Sequence, residues 1–339
     1  MAQDKMLAVL KEKPKSGVEI KEIPIPKPQK EEVLVKVVVA SICGTDISIY
    51  DWTPWAEGHI KPPVIIGHEL VGEVLEINST QPTHIKKGDL VSSETHIFDN
   101  TCYQCLINNR HICENMELFG IGRNGGFAEY ATIPLRTTWK NIASLDPKVM
   151  SAQEPLGNAV HVVTKAQVAG KTVLVFGLGP VGLCAIAVAK AYGAKRVIGV
   201  NRGDYRRNLG LKMGADEVYE SLPKELENKC DVVLEMSGNA EVISEALKAA
   251  RIAGKLIFFG IPKNEASIDT GKYFINKELS VDSVFGRRIW ETWFQVSDLL
   301  TEGKVDLKTI ITHEFKLSEF EEAMKVMKSG ESGKILLIP

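Results

Sequence analysis

The sequence has no excess of basic charge and no long apolar run, and these two absences argue against several classes of protein. Its 339 residues carry a formal net charge of -2, so no surplus of lysine and arginine is available to neutralise phosphates. The longest uncharged stretch, residues 172–189, contains three glycines and a proline. It is also shorter than the roughly 20 residues that a membrane-spanning helix needs. We therefore expect a protein that binds neither nucleic acid nor membranes.

Cysteine is sparse, and the first residues lack the apolar run of about 7–15 residues that an export signal requires. The chain has six cysteines, which a reducing cytosol would keep free or metal-bound rather than paired as disulfides. Hydrophobic residues make up 44% and charged residues 25%, a balance typical of a globular chain with a buried core. These features predict a cytoplasmic protein, and the length predicts about two domains.

The hydrophobic pattern changes along the chain and predicts an α/β domain joined to a β domain. Short β segments punctuated by Gly and Pro fill the first 155 residues and indicate a small β-barrel or sandwich. From about Val168 strands and helices alternate, as in a doubly wound parallel sheet. A helix-like stretch and a β-rich tail then return to the first domain. The predicted boundaries are 1–155 for the β domain, 156–294 for the inserted α/β domain and 295–339 for the returning segment.

A glycine-rich turn follows the strand at residues 172–176 and opens an apolar helix. Glycines at these positions allow a tight turn and let the backbone approach a pyrophosphate, which lies on the helix N-terminus. Strand, glycines, helix and a second strand at the right distance agree, which favours dinucleotide binding over an ordinary strand-to-helix turn. The predicted cofactor-binding residues of this turn are Gly177, Leu178, Gly179, Pro180, Val181 and Gly182.

The tip of the second strand bears on the choice between NAD and NADP. An NAD-binding fold normally places Asp or Glu there, to hydrogen-bond the ribose hydroxyls, whereas this chain has Asn201 followed by Arg202. Asn201 would not repel a 2′-phosphate, and Arg202, with Arg206 or Arg207 a turn further on, could pair with it. The sequence therefore favours NADP over NAD, with a solvated basic loop as the alternative.

A second set of candidate residues lies in the β-rich half. Cys43 and His68 each follow an apolar strand, and Glu154 lies in the string QEPLGNAV. Taken singly, Cys43 would be a small buried residue and His68 a structural histidine. Together with Glu154 they form a thiolate, imidazole and carboxylate set suited to an open catalytic zinc site.

A third set predicts a second metal ion. Three cysteines at close spacing in a polar loop can surround one tetrahedral ion, and an aspartate stands where a fourth cysteine would be expected. A carboxylate can ligate zinc, so we expect a structural zinc here, against the alternative of a metal-free loop of reduced thiols. The four candidate ligands are Asp99, Cys102, Cys105 and Cys113.

These motifs together resemble the zinc-dependent medium-chain dehydrogenase/reductase superfamily over nearly the whole chain. Within it, the strings SICGTDISIYDW, KPPVIIGHE, ETHI, FAEY, QEPLGNAV and GRRIWETW look like those of the L-threonine 3-dehydrogenases. The resemblance implies a GroES-like catalytic domain with an inserted Rossmann domain, and a homotetramer. It also implies a catalytic zinc on Cys43, His68, Glu69 and Glu154.

The resemblance, with the residues above, predicts an NAD(P)-linked oxidation of a small secondary alcohol, with L-threonine giving 2-amino-3-ketobutyrate. Zinc would lower the pKa of the substrate hydroxyl while a hydride passes to the nicotinamide. Thr45 is placed by resemblance to relay the proton through the cofactor ribose, and His96 is a candidate to orient substrate or move a proton. Arg287 or Arg288 could face the threonine carboxylate.

Three departures from the family pattern keep other substrates open. Asp99 replaces a cysteine, Asn201 and Arg202 replace the acidic strand tip, and Phe285 stands where a small polar residue would be expected. NADP use and a reshaped pocket are typical of sugar and polyol relatives, so an NADP-dependent sugar, polyol or alcohol dehydrogenase is the first alternative. A non-catalytic NADP(H)-binding protein is the second alternative, and the retention of Cys43, His68 and Glu154 argues against it.

Overall fold

The structure is a computed structural model that describes residues 4–262 and 264–339. Their contacts divide the chain into two compact units. The first comprises the chain up to Glu154 together with Ile311–Pro339, and the second comprises Pro155–Ile310.

The described residues contain both strands and helices. The strands are β1 (Lys5–Lys11), β2 (Glu19–Pro24), β3 (Glu32–Ile42), β4 (Val64–Ile65), β5 (Leu70–Asn78), β6 (Leu90–Ser93), β7 (His96–Ile97), β8 (Glu117–Leu118), β9 (Tyr130–Pro134), β10 (Thr138–Lys140), β11 (Thr172–Phe176), β12 (Arg196–Val200), β13 (Glu217–Tyr219), β14 (Cys230–Glu235), β15 (Ala250–Phe258), β16 (Ser280–Ser283), β17 (Ile311–Lys316) and β18 (Lys334–Ile338). The α-helices are α1 (Gly44–Asp51), α2 (Pro54–His59), α3 (Tyr103–Leu106), α4 (Pro147–Met150), α5 (Gln153–Ala166), α6 (Pro180–Ala191), α7 (Asp204–Lys212), α8 (Ala240–Ala249), α9 (Glu291–Thr301) and α10 (Phe320–Ser329).

The first unit is built around β3, whose sequence EVLVKVVVASI is rich in β-branched residues. β3 pairs antiparallel with β5, β9 and β18, in a sheet ordered β10-β6-β5-β3-β18-β17. Side chains such as Val33, Val35 and Val37 point from β3 into a large apolar core. The pairing of β3 with β5 brings the end of β3 beside the start of β5, where the metal-centre residues lie.

The returning segment joins this sheet later in the chain than we predicted. β17 and β18 pair with each other in parallel, and β18 pairs with β3, so the β-rich tail does return to the first unit. The return begins at Ile311, and not at residue 295. The reason is packing, because α9 and the turn at Leu307–Ile310 remain with the second unit, where the turn packs on α6 and α7.

The second unit is a parallel sheet with the strand order β13-β12-β11-β14-β15-β16 in the described residues. Every neighbouring pair in it is parallel, which confirms the predicted doubly wound sheet. Strand order reverses between β11 and β14. Ligands bind at such a reversal, outside the carboxyl ends of the strands.

Local sequence explains the elements that position the dinucleotide turn. β11 reads TVLVF and pairs on both edges, with β12 and β14, so its continuous apolar run is buried. Pro180 is in the first turn of α6, where its missing N–H costs nothing. Residues 182–189 of α6 are all buried, as expected for a helix that is apolar on every side. In the part of the chain that the structure describes, no helix is both long and apolar enough to span a membrane.

Candidate metal centre and dinucleotide site

The metal centre of the first unit forms where two paired strands meet. Cys43 follows β3 and precedes α1, and its N–H donates to Asp46 Oδ2 at 2.8 Å. His68 and Glu69 immediately precede β5. The N–H of Ser41 donates to the carbonyl of Glu69 at 3.0 Å, so the β3–β5 register places Cys43 beside His68 and Glu69. The pairing of β3 with β5 thus brings together residues that are distant in the sequence.

The donor atoms of Cys43, His68 and Glu69 lie within 4.8 Å of one another. His68 and Glu69 are buried, and His68 Nδ1 and Glu69 Oε1 have no hydrogen-bond partner among the described residues. Buried polar atoms are normally satisfied, and a cation would satisfy Glu69 Oε1 directly. A thiolate, an imidazole and a carboxylate are ligands that zinc accepts, so this set fits the predicted metal.

Charge interactions dominate this cluster. Burial alone would lower the pKa of His68, but the Cys43 thiolate, and the carboxylates of Asp46 and Glu154, raise it to about 10. Burial raises the pKa of Asp46 to about 6, against the opposing effect of His68. Asp46 Oδ1 lies 4.0 Å from His68 Nδ1. The site therefore holds an excess of negative groups, which favours a divalent cation.

Lys334 is a residue of this site that sequence reasoning missed. Its side chain is 1% exposed, it forms an ion pair with Glu69 Oε2, and it donates to the Ile42 carbonyl at 3.0 Å. The Ser41 hydroxyl donates to the same oxygen, Glu69 Oε2. Two donors thus hold one oxygen of Glu69 while Oε1 is left to a metal. A signal existed, because a lysine opens the otherwise apolar strand KILLI.

Glu154, the fourth ligand implied by the family resemblance, lies outside this three-residue grouping. It is buried in the first turn of α5, and its charge raises the pKa of both His68 and Lys334. It is therefore close enough to act on the cluster electrostatically. Its role as a zinc ligand stays a prediction.

Thr45 and His96 have different surroundings within the first unit. Thr45 Oγ1 lies 3.8 Å from Cys43 Sγ. His96 is buried in β7, where Glu94 Oε1 accepts hydrogen bonds from the His96 backbone N–H at 2.9 Å and from Nδ1 at 2.8 Å. A carboxylate on Nδ1 fixes the ring orientation and places the proton on that nitrogen. Glu94 is thus a supporting residue that we did not single out in the sequence, although it lies in the string ETHI.

The cysteine loop brings its four predicted ligands together. The donor atoms of Asp99, Cys102, Cys105 and Cys113 lie within 4.8 Å of one another. Backbone N–H groups point at the sulfurs: that of Cys105 lies 3.5 Å from Cys102 Sγ, and that of Asp99 lies 3.4 Å from Cys113 Sγ. Donors of this kind stabilise thiolates.

Asp99 also organises the loop by itself. Its Oδ1 accepts hydrogen bonds from the N–H groups of Thr101 and Cys102, and its Oδ2 accepts one from Asn115 Nδ2 at 2.6 Å. These hydrogen bonds hold the pKa of Asp99 well below its usual range. Asp99 is therefore ionised, as a metal ligand would have to be.

The glycine-rich turn of the second unit has the close contacts that its sequence predicts. Gly177 has φ +84°, and a Cβ there would lie 2.7 Å from Ser237 Cα. A Cβ on Gly182 would lie 2.0 Å from the Gly177 carbonyl oxygen. Gly179 begins α6 as its N-terminal cap, next to Pro180. Only glycine fits at positions 177 and 182, as a turn that cradles a pyrophosphate requires.

The strand tip joins that turn through Asn201. Asn201 Oδ1 accepts a hydrogen bond from the Leu178 N–H at 3.1 Å, and its Nδ2 donates to the Gly203 carbonyl at 3.2 Å. Arg202 forms an exposed ion pair with Glu241 at 2.9 Å. Exposed pairs of this kind contribute little free energy, so the guanidinium can be redirected to a phosphate. Arg206, the remaining predicted contact, is half-buried in α7.

The two arginines predicted to face a carboxylate both have partners in the second unit. Arg287 is 1% exposed, donates to Asn158 Oδ1 at 3.3 Å and stacks its guanidinium over Trp293. Arg288 is partly exposed and forms an ion pair with Glu291 at 2.9 Å. Of the two, Arg288 is the one that remains accessible from solvent.

The fold and these residues define a zinc-dependent dehydrogenase that uses a nicotinamide cofactor, and comparison with known proteins agrees. Residues 29–143 match the family model for the alcohol dehydrogenase GroES-like domain, and residues 180–302 match that for zinc-binding dehydrogenases. The chain belongs to the zinc-dependent medium-chain dehydrogenase family and is an oxidoreductase. It is 44% identical to a protein of Pyrococcus abyssi named L-threonine 3-dehydrogenase, with 99% of each chain covered.

Solved structures show the same fold with a bound nicotinamide cofactor. A zinc-binding dehydrogenase from Sinorhizobium meliloti bound to NADP has a TM-score of 0.90 at 28% identity, covering 99% of this chain and 100% of that one. An alcohol dehydrogenase from Escherichia coli complexed with NADH has a TM-score of 0.89 at 28% identity, with the same coverage. The predictions of a GroES-like domain, a Rossmann domain, zinc and a nicotinamide cofactor are thus confirmed, whereas the choice between NADP and NAD is not.

Proposed function

We propose that this protein oxidises the C3 hydroxyl of L-threonine to give 2-amino-3-ketobutyrate. The observation that carries the proposal is the clustered donor set of Cys43, His68 and Glu69 in a chain 44% identical over its length to an L-threonine 3-dehydrogenase. In the reaction the C3–H bond would break and the hydroxyl would lose its proton, and the oxidised nicotinamide cofactor, when bound, would supply the acceptor for the hydride.

The chain's own residues divide the work of this reaction. Cys43, His68, Glu69 and Glu154 would hold zinc, which supplies Lewis-acid stabilisation of the substrate hydroxyl in its deprotonated form. Thr45 would pass the hydroxyl proton towards the cofactor ribose. His96, whose ring is held by Glu94, would orient the substrate or carry the proton onward. Arg288 is a candidate for the substrate carboxylate.

A substrate panel tests the proposal most directly. L-Threonine, D-threonine, glucose, 2,3-butanediol and simple alcohols would be compared by kcat/KM with both NAD and NADP. We expect the highest value with L-threonine. If glucose or 2,3-butanediol exceeds it, the sugar, polyol or alcohol dehydrogenase alternative replaces this proposal. If no alcohol is oxidised by the zinc-loaded protein, the non-catalytic alternative would gain support.

We also propose that NADP is preferred to NAD. Asn201 provides no carboxylate to repel a 2′-phosphate, and Arg202 forms an exposed ion pair with Glu241 that a phosphate could replace. Hydrogen bonds to charged groups contribute roughly 1.5–3 kcal/mol, so one such contact changes the preference by about one to two decades. We expect a higher kcat/KM with NADP, and a reversed order when Asn201→Asp is combined with Arg202→Gln.

The structure makes this double substitution a clean test. An aspartate at position 201 keeps an acceptor oxygen for the Leu178 N–H, so the hydrogen bond between the strand tip and the glycine-rich turn is retained. A matched control is Arg251→Gln, which removes an exposed arginine paired with Asp231 in the same unit and should leave the cofactor order unchanged. A wild-type preference for NAD of tenfold or more would contradict the proposal.

We propose further that the cysteine loop binds a second, structural zinc. The four donors are already clustered, and a structural site contributes to stability without taking part in the chemistry. We expect two zinc ions per chain by elemental analysis, and a lower melting temperature when a chelator removes the loop metal. One zinc per chain, together with three freely titrating loop thiols in the folded protein, would contradict the second site.

A substitution can separate the proposed role of Asp99 as a zinc ligand from its role as a hydrogen-bond acceptor in the loop. Asp99→Asn keeps an acceptor for the N–H groups of Thr101 and Cys102 but removes the negative charge. If Asp99 is a ligand, the variant should lose zinc from the loop at a lower chelator concentration, while kcat measured below its melting temperature stays unchanged. If Asp99 only braces the loop, the chelator titration should match that of wild type.

Assembly and location remain proposals. We propose a cytoplasmic homotetramer that acts on a small-molecule alcohol, without nucleic acid or membrane partners. None of the six cysteines, all of which lie in the described residues, is paired in a disulfide, which is typical of a reducing compartment. Light scattering coupled to size-exclusion chromatography measures the assembly. A mass of four chains is expected, and a mass of two would replace the tetramer with a dimer.

A further inference from the structure

Glu235 is a fully buried carboxylate in the second unit, and it belongs to neither the metal centre nor the glycine-rich turn. It is the last residue of β14, and its side chain is 0% exposed. Its Oε1 accepts hydrogen bonds from the Ser237 N–H at 2.8 Å, the Ser237 hydroxyl and the Gly238 N–H at 3.2 Å. Its Oε2 is buried and has no hydrogen-bond partner among residues 4–262 and 264–339. Burial raises its pKa.

The carboxylate lies at the junction of turns that follow three neighbouring strands. The Glu235 carbonyl accepts from the Phe259 and Gly260 N–H groups, in the turn after β15. A Cβ on Gly260 would lie 2.9 Å from Glu235 Oε2 and 2.1 Å from the Gly238 nitrogen. On the other side Ser237 packs against Gly177 of the glycine-rich turn after β11. The turns after β11, β14 and β15 are therefore in close contact with one another.

These turns border the dinucleotide crevice. Strand order reverses between β11 and β14, and a dinucleotide binds across such a reversal. The adenosine half lies on the β12 side, because the tip of the second strand contacts its ribose. The nicotinamide half would then lie over the ends of β14 and β15, beside the turns that contain Ser237, Gly238 and Gly260.

We propose that Glu235 is a positioning residue for the nicotinamide half of the cofactor. Glu235 Oε1 accepts three hydrogen bonds from the Ser237–Gly238 turn. These hydrogen bonds hold the turn in contact with Gly177 and Gly260. Burying a carboxylate without a cationic partner is costly, and a turn that must hold a reactive ring gains from rigid support. The proposal rests on nicotinamide-cofactor binding, and not on zinc or on the identity of the alcohol.

Two substitutions of similar volume test it. Glu235→Gln keeps one acceptor oxygen for the Ser237–Gly238 turn, whereas Glu235→Met removes both oxygens. Binding is measured with the whole dinucleotides NADH and NADPH, and with the adenosine-half ligands AMP and 2′,5′-ADP. We expect Glu235→Met to weaken the better dinucleotide by at least about tenfold, with the half ligands unchanged. Glu235→Gln should rescue most of the loss.

The other possible outcomes either overturn the role proposed for Glu235 or refute the proposed function of the whole protein. Equal loss for whole and half ligands, or no loss with Glu235→Met, would overturn it. If Glu235→Met does not fold, Ser237→Ala decides, because it removes one of the donors to Oε1. It should weaken the dinucleotide and spare AMP and 2′,5′-ADP, and equal effects on both would again overturn the proposal. Failure of the wild type to bind either dinucleotide would refute the proposed function instead.

Discussion

Replacing Cys43 by serine is expected to abolish turnover while leaving the protein folded and able to bind its cofactor. A serine hydroxyl is a poor substitute for a thiolate as a zinc ligand, and loss of Lewis-acid stabilisation worth several kcal/mol lowers the rate by about 1,000-fold or more. Cofactor affinity should not change, because the glycine-rich turn belongs to the other compact unit. The measurements are kcat, zinc content and the Kd for the nicotinamide cofactor.

A matched control for this change is Cys184→Ser. Cys184 is buried in α6 of the second unit, so its substitution tests the loss of a buried sulfur without touching the metal centre. It should retain full zinc content and turnover at temperatures below its melting point. Full activity of Cys43→Ser, or of a rigorously metal-free preparation, would show that the zinc mechanism is wrong.

Replacing Lys334 by methionine is expected to be among the most destabilising single changes in the first unit. The ion pair with Glu69 is almost completely buried, with side-chain exposures of 1% and 0%. Removing one partner of such a pair leaves an uncompensated charge in the core, which costs about 3–5 kcal/mol of unfolding free energy. Denaturant unfolding of the metal-free protein measures the effect, because zinc on Glu69 would itself compensate the carboxylate charge.

Two further variants distinguish the stability lost by breaking the buried ion pair from the effect of replacing any lysine by methionine. Lys328→Met removes an exposed lysine whose pair with Asp51 is 42% and 36% exposed, and it should change stability by less than about 1 kcal/mol. Glu69→Gln combined with Lys334→Met should be more stable than Lys334→Met alone, because the buried charge is gone. If Lys334→Met is no less stable than Lys328→Met, the pair does not hold Glu69 in place.

Much of the second unit could be predicted because its signals are local. The apolar strand TVLVF, the glycines after it and the helix opening at Pro180 specify one βα unit without reference to the rest of the chain. Helix α5 was not predicted, although its N-terminal residues were recognised as a motif. Its first two turns, QEPLGNAV, contain Pro and Gly, residues that oppose a helix in its interior and mask the signal.

The metal centre, in contrast, could be predicted only in part, because some of its residues are brought together by contacts between distant segments. Cys43 and His68 were found because thiol and imidazole are rare and chemically distinctive. Lys334 was not, because lysine is common on surfaces and only the pairing of β18 with β3 brings it into the core. The same pairing decides where the first unit resumes, so the boundary at 311 could not be derived from local periodicity either. Contacts between distant segments determine both, and a linear pattern does not contain them.

That pairing also sets the order of events during synthesis. Lys334 and Ile42, whose carbonyl it contacts, lie 292 residues apart. A ribosome adding roughly 5–20 residues per second needs about 15–60 s to cover that interval. The nucleotide-binding unit is contiguous and can fold while the ribosome continues, but the catalytic sheet lacks its central partner strand until β18 emerges. Cys43, His68 and Glu69 are therefore synthesised well before Lys334, the buried lysine that pairs with Glu69. We expect the metal centre to reach its final form only after the C-terminal strand has been translated.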